Sequence, residues 1–217
     1  MSKKLKNYPD PMSVIDRYGA DSLRYYLTSS SVVRAEDLAF SEKGLDEVYK
    51  KLILRLGNVF DFYLMYKGEG GHLGDMSKNV LDKWIVSRLN EMGGAITVGL
   101  EKYELDRASR PILDFVDDLS TWYIRRSRDR FKSDNVEDKN NALVTTKYIL
   151  TELSKYIAPF MPFFAEYMYQ QLRNKENEES VHFCEWPKQE VVDEKLLADM
   201  VLVRRMVSEV LMARNSA

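Results

Sequence analysis

At 217 residues with 45% hydrophobic content, the chain is long enough for one large or two small domains with a real core. Its 30% charged residues nearly balance to a formal −2, which excludes a global positive field for nucleic acid or anionic membrane and leaves only local binding. A single cysteine, Cys184, excludes an internal disulfide, and with only His72 and His182 beside it the ligand count of a zinc site is not reached; no stretch suits a signal peptide or a membrane span, so a cytoplasmic protein with no metal and no membrane partner is expected.

Apolar residues recur at three- and four-residue spacing almost throughout, while strict alternation is scarce, so the chain reads as mainly α-helical. Asp10 followed by Pro11 opens a first helix, because Asp caps free N–H groups and proline costs nothing at the first helical position; Gly19 ends it. A short helix over Ser22–Thr28 and an irregular serine-rich stretch to Phe40 follow. Ser41 then caps a long helix reaching Tyr66, whose inner stripe is Leu45, Val48, Leu52, Leu56, Val59, Phe60 and Tyr63. Four glycines between Lys67 and Gly74 mark the best domain boundary.

Beyond it the spacing predicts helices over Val80–Tyr103, Arg107–Lys132 and Asp138–Ile157, a break at Pro159 and Pro162, and a helix over Phe163–Leu172. The polar run Arg173–Ser180 reads as a loop and Val181–Trp186 as a short extended piece. From Asp193 a further helical stripe runs through Leu196, Leu197, Met200, Val201, Val207, Val210 and Leu211 without a stop signal. The expected organisation is therefore a segment over 1–75, a helical domain over 76–190, and the start of a truncated helical region over 191–217. The aromatics Tyr156, Phe160, Phe163, Phe164, Tyr167 and Tyr169 around the two prolines read as packing at a helix junction, and Met161 and Met168 as gap-filling core. His72 and His182 lack a second ligand or acid partner in sequence and read as structural.

Two segments carry chemistry. The first, Met1-Ser2-Lys3-Lys4-Leu5-Lys6-Asn7-Tyr8-Pro9-Asp10-Pro11, places three lysines and a serine ahead of a capped helix. Mobile ammonium groups on a loop suit the phosphates of a nucleotide, and the same composition also fits a solvated chain start. The second runs from Asp114 to Lys132. Its acidic residues gather toward the N-terminal half and its basic ones toward the C-terminal half, as the helix dipole favours. At about 100° per residue, Ile112, Phe115, Val116, Leu119, Tyr123 and Phe131 share one arc, and Asp114, Asp118, Arg125, Arg128 and Lys132 share the other, of which Arg125, Arg128 and Lys132 face water. Arg126 and Arg130 fall on the apolar arc beside Trp122 and Tyr123. There an arginine pairs with an acid on a neighbouring helix, or it serves a nucleic-acid surface with Trp122 or Tyr123 as a stacking face; the sequence leaves both open.

The first segment resembles the Lys-Met-Ser-Lys-Ser signature of class I aminoacyl-tRNA synthetases, in the isoleucyl variant that continues Leu-Lys-Asn-Tyr-Pro-Asp-Pro, with Lys4 where serine is usual. The second resembles the Asp-Asp-Leu-Ser-Asn-Trp-Tyr-Ile-Arg-Arg-Ser-Arg signature of isoleucyl-tRNA synthetase anticodon-binding domains, with Thr121 in place of asparagine. The order and separation of the two, with Val32-Val33-Arg34-Ala35-Glu36-Asp37-Leu38, Ser180-Val181-His182-Phe183 and Glu185-Trp186-Pro187 between and beyond, extend the resemblance over essentially the whole chain.

What the resemblance implies is specific. The fold is an all-α helical bundle preceded by a small mixed stem-contact segment. Lys3 is the catalytic lysine at the ATP phosphates, with Ser2 and Lys4 beside it, and Trp122, Arg125, Arg126, Arg128 and Arg130 contact tRNA. The parent enzyme charges tRNA(Ile) with isoleucine using ATP and Mg2+. This chain has no His-Ile-Gly-His motif, nucleotide-binding domain or editing domain, so alone it is expected to be inactive and to hold no cofactor. A helical protein-interaction module, or the equivalent piece of a valyl- or leucyl-tRNA synthetase, is the alternative.

Overall fold

The structure, a computed structural model, describes residues 9–67 and 77–216. Asp10 caps α1 (Pro11–Tyr18), its carboxylate accepting from the Ser13 N–H at 3.1 Å, with Pro11 in the first turn. Gly19 adopts φ 81°, a left-handed value that only glycine takes without strain, and so turns the chain directly into α2 (Ala20–Thr28). A 3-10 turn over Ser31–Arg34 follows, and an irregular run leads to Ser41, whose hydroxyl accepts from the Gly44 N–H at 3.1 Å. The helix it caps is continuous but not uniform: α3 (Glu42–Val48) widens into a π-helical stretch over Tyr49–Leu54 and tightens again into α4 (Arg55–Tyr66). No strand occurs among the described residues, so the leading segment, expected to be mixed, is helical too.

The bundle proper comprises α5 (Val80–Glu101), α6 (Leu105–Asp117) running through a second π-helical stretch over Asp118–Ile124 into α7 (Arg125–Phe131), then α8 (Val136–Ile157) and α9 (Pro162–Leu172). A 3-10 turn at Val181–Phe183 stands where an extended piece was expected, and α10 (Glu194–Ser216) closes the described chain. The expected helices and the proline break are all present, with ends shifted by at most two residues because caps, not periodicity, set them. Asn79 and Asn135 accept from N–H groups inside α5 and α8 and so begin those helices.

One large core joins the inner faces: Leu52, Leu56 and Phe60 of the first long helix pack in the same cluster as Trp84, Ile85, Phe115, Leu119, Leu150 and Met168. A smaller core beneath α1 to α3 is built on Val14, Tyr18 and Leu45. The two are tied by polar contacts at α2. The Tyr25 hydroxyl donates to the Ser109 carbonyl at 2.8 Å, the Arg24 guanidinium donates to the Pro159 carbonyl, and the Asp21 carboxylate accepts from the Phe164 N–H at 2.6 Å. Asp21 thus caps α9 from another helix, satisfying N–H groups that Pro162 and its neighbours leave free. Burial raises the Asp21 carboxyl above its ordinary value, opposed by those N–H bonds and by Arg24. Of the aromatics at this junction, Tyr156, Phe160 and Tyr169 are buried as expected, while Phe163 and Tyr167 are exposed because they lie on the outer face of α9. Met161 and Met168 are fully buried.

Candidate nucleic-acid interface

The π-helical stretch over Asp118–Ile124 decides which way the arginines of α7 point. A widened turn takes up an extra residue and rotates everything downstream relative to a regular helix. The inner face therefore runs Leu119, Tyr123, Ile124, Ser127 and Phe131, all buried, and Arg126, placed on the apolar arc by regular projection, is turned out to solvent. Arg125, Arg128 and Lys132 are exposed, as the projection predicts.

Arg126 lies over the ring of Trp122, its guanidinium carbon 4.2 Å from the ring centroid, well inside cation–π range. Arg128 lies 6.0 Å from the ring of Phe62 on α4. Among the described residues neither of these, nor Arg125, forms an ion pair, so α7 presents three guanidinium charges to solvent beside a half-buried tryptophan. That set can bridge phosphates and offer a stacking face.

Arg130 behaves differently. Its two terminal nitrogens donate to the two oxygens of Asp82 at 2.7 and 2.8 Å, and Nε donates to Asp138 at 2.9 Å. The Asp82 side chain is 2% exposed and that of Arg130 11%. Tyr123 and Ser77 also donate to Asp82, at 2.9 and 2.6 Å, so the buried carboxylate is fully surrounded by donors. Burial works against the Arg130 charge, but the hydrogen bonds to Asp82 and Asp138 outweigh it and hold the guanidinium above its usual range. Burial, and then the Asp82 carboxylate, raise the Tyr123 hydroxyl well above its ordinary value. Of the two roles open to Arg126 and Arg130, the internal ion pair belongs to Arg130: it was expected among the tRNA contacts, and its donors are spent inside the fold.

Asp118, placed on the polar arc by projection, is turned inward. It is buried, accepting from Arg88 Nε of α5 at 2.9 Å and pairing with Arg204 of α10 at 2.5 Å. Helix projection misses this because the covering groups come from other elements. Arg55 pairs with Asp117 next to it, and Lys51, Arg55, Arg88, Asp117, Asp118 and Arg204 line a cleft of about 460 Å3. Arg204 was not singled out from sequence, although a signal existed: it continues the inward spacing Leu197, Met200, Arg204 on α10, where a charge must find a partner. Ser2, Lys3, Lys4 and His72 lie outside the described residues, as does the glycine-rich boundary. Among the described residues no group of three or more His, Cys, Asp or Glu side chains is placed to hold a metal ion, and no helix is long and apolar enough to cross a membrane.

The family described as "Anticodon-binding domain of tRNA ligase" matches residues 82–217, well over half of the chain and all but the first two residues of the α5 to α10 bundle. The chain belongs to the anticodon-binding domains of tRNA ligases. The family "tRNA synthetases class I (I, L, M and V)" matches residues 1–39, ahead of this domain. The isoleucine–tRNA ligase of Chlamydia trachomatis serovar D is 45% identical over 205 residues, and that of Protochlamydia amoebophila 42% identical over 215 residues. These matches cover 92% and 96% of this chain but 20% and 21% of those proteins, so the chain spans about a fifth of the length of the relatives it matches. The agnB2 LeuRS of Agrobacterium radiobacter K84, solved as a LeuRS–tRNA–LeuAMS ternary complex, has the same fold, with a TM-score of 0.57 at 18% identity over 91% of this chain and 22% of its own. The anticodon-binding domain here therefore sits on class I sequence, and its solvent-facing arginines lie within the matched region.

Proposed function

We propose that this chain is the tRNA-contacting part of an isoleucine–tRNA ligase, which charges tRNA(Ile) with isoleucine in the cytoplasm. The observation that carries it is the outer face of α7, where Arg125, Arg126 and Arg128 stand without carboxylate partners among the described residues, around Trp122 inside an anticodon-binding domain. The relatives at 42% and 45% identity, both isoleucine–tRNA ligases, support the choice of amino acid. Arg125 and Arg128 neutralise phosphates. Arg126 leaves the Trp122 ring for a phosphate at a cost of about 0.5–1 kcal/mol, and a base takes its place on the ring. Arg130 acts only by holding α7 to α5 and α8. In the whole enzyme ATP with Mg2+ supplies the driving force for charging, and Lys3, flanked by Ser2 and Lys4, is the residue of this chain that faces its phosphates.

Titration of the chain with an isoleucine tRNA transcript at several salt concentrations tests this. Counterion release predicts a negative slope of log affinity against log salt, and Arg125→Ala or Arg128→Ala lowers its magnitude by about one each. With a net charge of −2 there is no long-range attraction, so affinity is modest. A slope unchanged when Arg125, Arg126 and Arg128 are all replaced removes α7 as the tRNA face. It would favour a protein-interaction module, for which the exposed Val201, Leu202, Met206 and Val210 of α10 speak.

A further inference from the structure

Arg204 lies on α10, some eighty residues along the chain from Trp122, yet its guanidinium carbon is 5.1 Å from the Trp122 ring centroid and 5.9 Å from that of Trp84. The same group pairs with the buried Asp118 at 2.5 Å. Asp118 opens the π-helical stretch that carries Trp122 and aims Arg126 outward, and Arg88 of α5 holds the other oxygen of the same carboxylate. One side chain therefore touches both the ring and the start of the turn that positions it. We infer that Arg204 is a positioning residue for tRNA recognition: it fixes the Trp122 ring under Arg126 while Arg88 still holds the start of the turn, so that α10 sets the geometry of the stacking platform without itself meeting tRNA. This rests on Trp122 being a stacking face, as proposed above.

The chemistry separates Arg204 from the arginines of α7. Its charge is already spent on Asp118, so losing it removes no phosphate contact and leaves the salt slope alone, whereas Arg125 and Arg128 have no carboxylate partner among the described residues and do change it. Its effect on affinity passes through one ring. An energetic cycle shows this directly, because a residue that acts through Trp122 has no effect once Trp122 is gone.

The test titrates the 217-residue chain and its Arg204→Ala, Trp122→Ala and doubly substituted forms with an isoleucine tRNA transcript at two salt concentrations. Thermal melts establish that each variant is folded. Loss of base stacking weakens binding of Trp122→Ala about ten-fold, and loss of a cation–π contact weakens Arg204→Ala about three- to five-fold. The double variant binds as Trp122→Ala does, and the salt slope of Arg204→Ala matches that of the parent. Should Arg204→Ala not fold, Arg204→Lys, which keeps an ammonium for Asp118 but loses the flat guanidinium, enters the same cycle with the same expected pattern. An equal loss in both backgrounds, a slope lowered by about one, or unchanged affinity in the Arg204 variant overturns the positioning role. If Trp122→Ala itself leaves affinity unchanged, the stacking face falls and this inference with it, a result distinct from failure of Arg204 alone.

Discussion

Replacing Arg130 with alanine removes the guanidinium that grips both oxygens of Asp82 and leaves a carboxylate whose side chain is 2% exposed without its counter-charge. Breaking a buried pair from one side costs about 3–5 kcal/mol, because the remaining charge keeps its desolvation cost. Here the hydroxyls of Tyr123 and Ser77 still donate to Asp82, which places the loss near the lower end, about 3 kcal/mol. For a chain of this length that is a fall in melting temperature of about 6–12 °C. Arg125→Ala is the control: its side chain is exposed and forms no ion pair among the described residues, so its effect stays within about 0.5 kcal/mol. Urea unfolding of the two variants beside the parent chain reads both numbers, and replacing both partners, Arg130→Met with Asp82→Leu, recovers part of the loss because the only carboxylate left unpaired is the solvent-accessible Asp138. If Arg130→Ala unfolds within about 0.5 kcal/mol of the parent, the buried pair does not hold α7 to α5, and Arg130 returns to the pool of arginines available to tRNA.

Other consequences are equally direct. A Cβ on Gly99 would lie 2.9 Å from both the backbone N and the Cα of Ala108, where α5 and α6 approach most closely; Gly99→Ala therefore destabilises by about 1–2 kcal/mol in urea unfolding, despite the helix propensity gained. Replacing Arg125 and Arg128 together with alanine leaves the melting temperature within about 2 °C of the parent while flattening the salt dependence of tRNA binding, which calorimetry and titration read separately. Burial would raise the Glu166 carboxyl, but hydrogen bonds from Gln170, the Val181 N–H and Ser180 outweigh it and hold it below its ordinary value of 4.5. A depressed carboxyl contributes stability that is present above the unfolded value and lost as pH falls through the folded one, so Glu166→Gln flattens the stability profile below about pH 5 and leaves its shape near neutrality unchanged.

Local devices were the legible part of this fold. Asp10, Pro11, Gly19 and Ser41 act within three or four residues of themselves, and each starts or ends a helix where its chemistry says it should. The inner stripe of the first long helix was readable for the same reason, since Leu52, Leu56 and Phe60 repeat at helical spacing and are all fully buried. The π-helical stretches were not readable, because nothing in the residues from Asp118 to Ile124 distinguishes a widened turn from a regular one. That single irregularity moved Arg126 from the apolar arc to solvent. Pairings across helices were equally hidden: Asp82 meets Arg130, and Asp118 meets Arg88 and Arg204, only once α5, α7 and α10 are packed. At the candidate site the residue types were therefore evident in the sequence, but their division into solvent-facing and fold-holding arginines required tertiary structure.

The outer face of α7 is proposed to meet the anticodon end of tRNA. A photo-crosslinking amino acid placed at Arg128, which is exposed and has no ion-pair partner among the described residues, reports the contact at nucleotide resolution when the chain is irradiated with an isoleucine tRNA transcript and the adduct mapped. The account predicts crosslinks confined to the anticodon stem and loop, weakened by added salt and abolished by excess unlabelled transcript. Crosslinks mapping to the acceptor stem, or a yield no greater than that from the same group placed at the exposed Val191 beyond the bundle core, would contradict it.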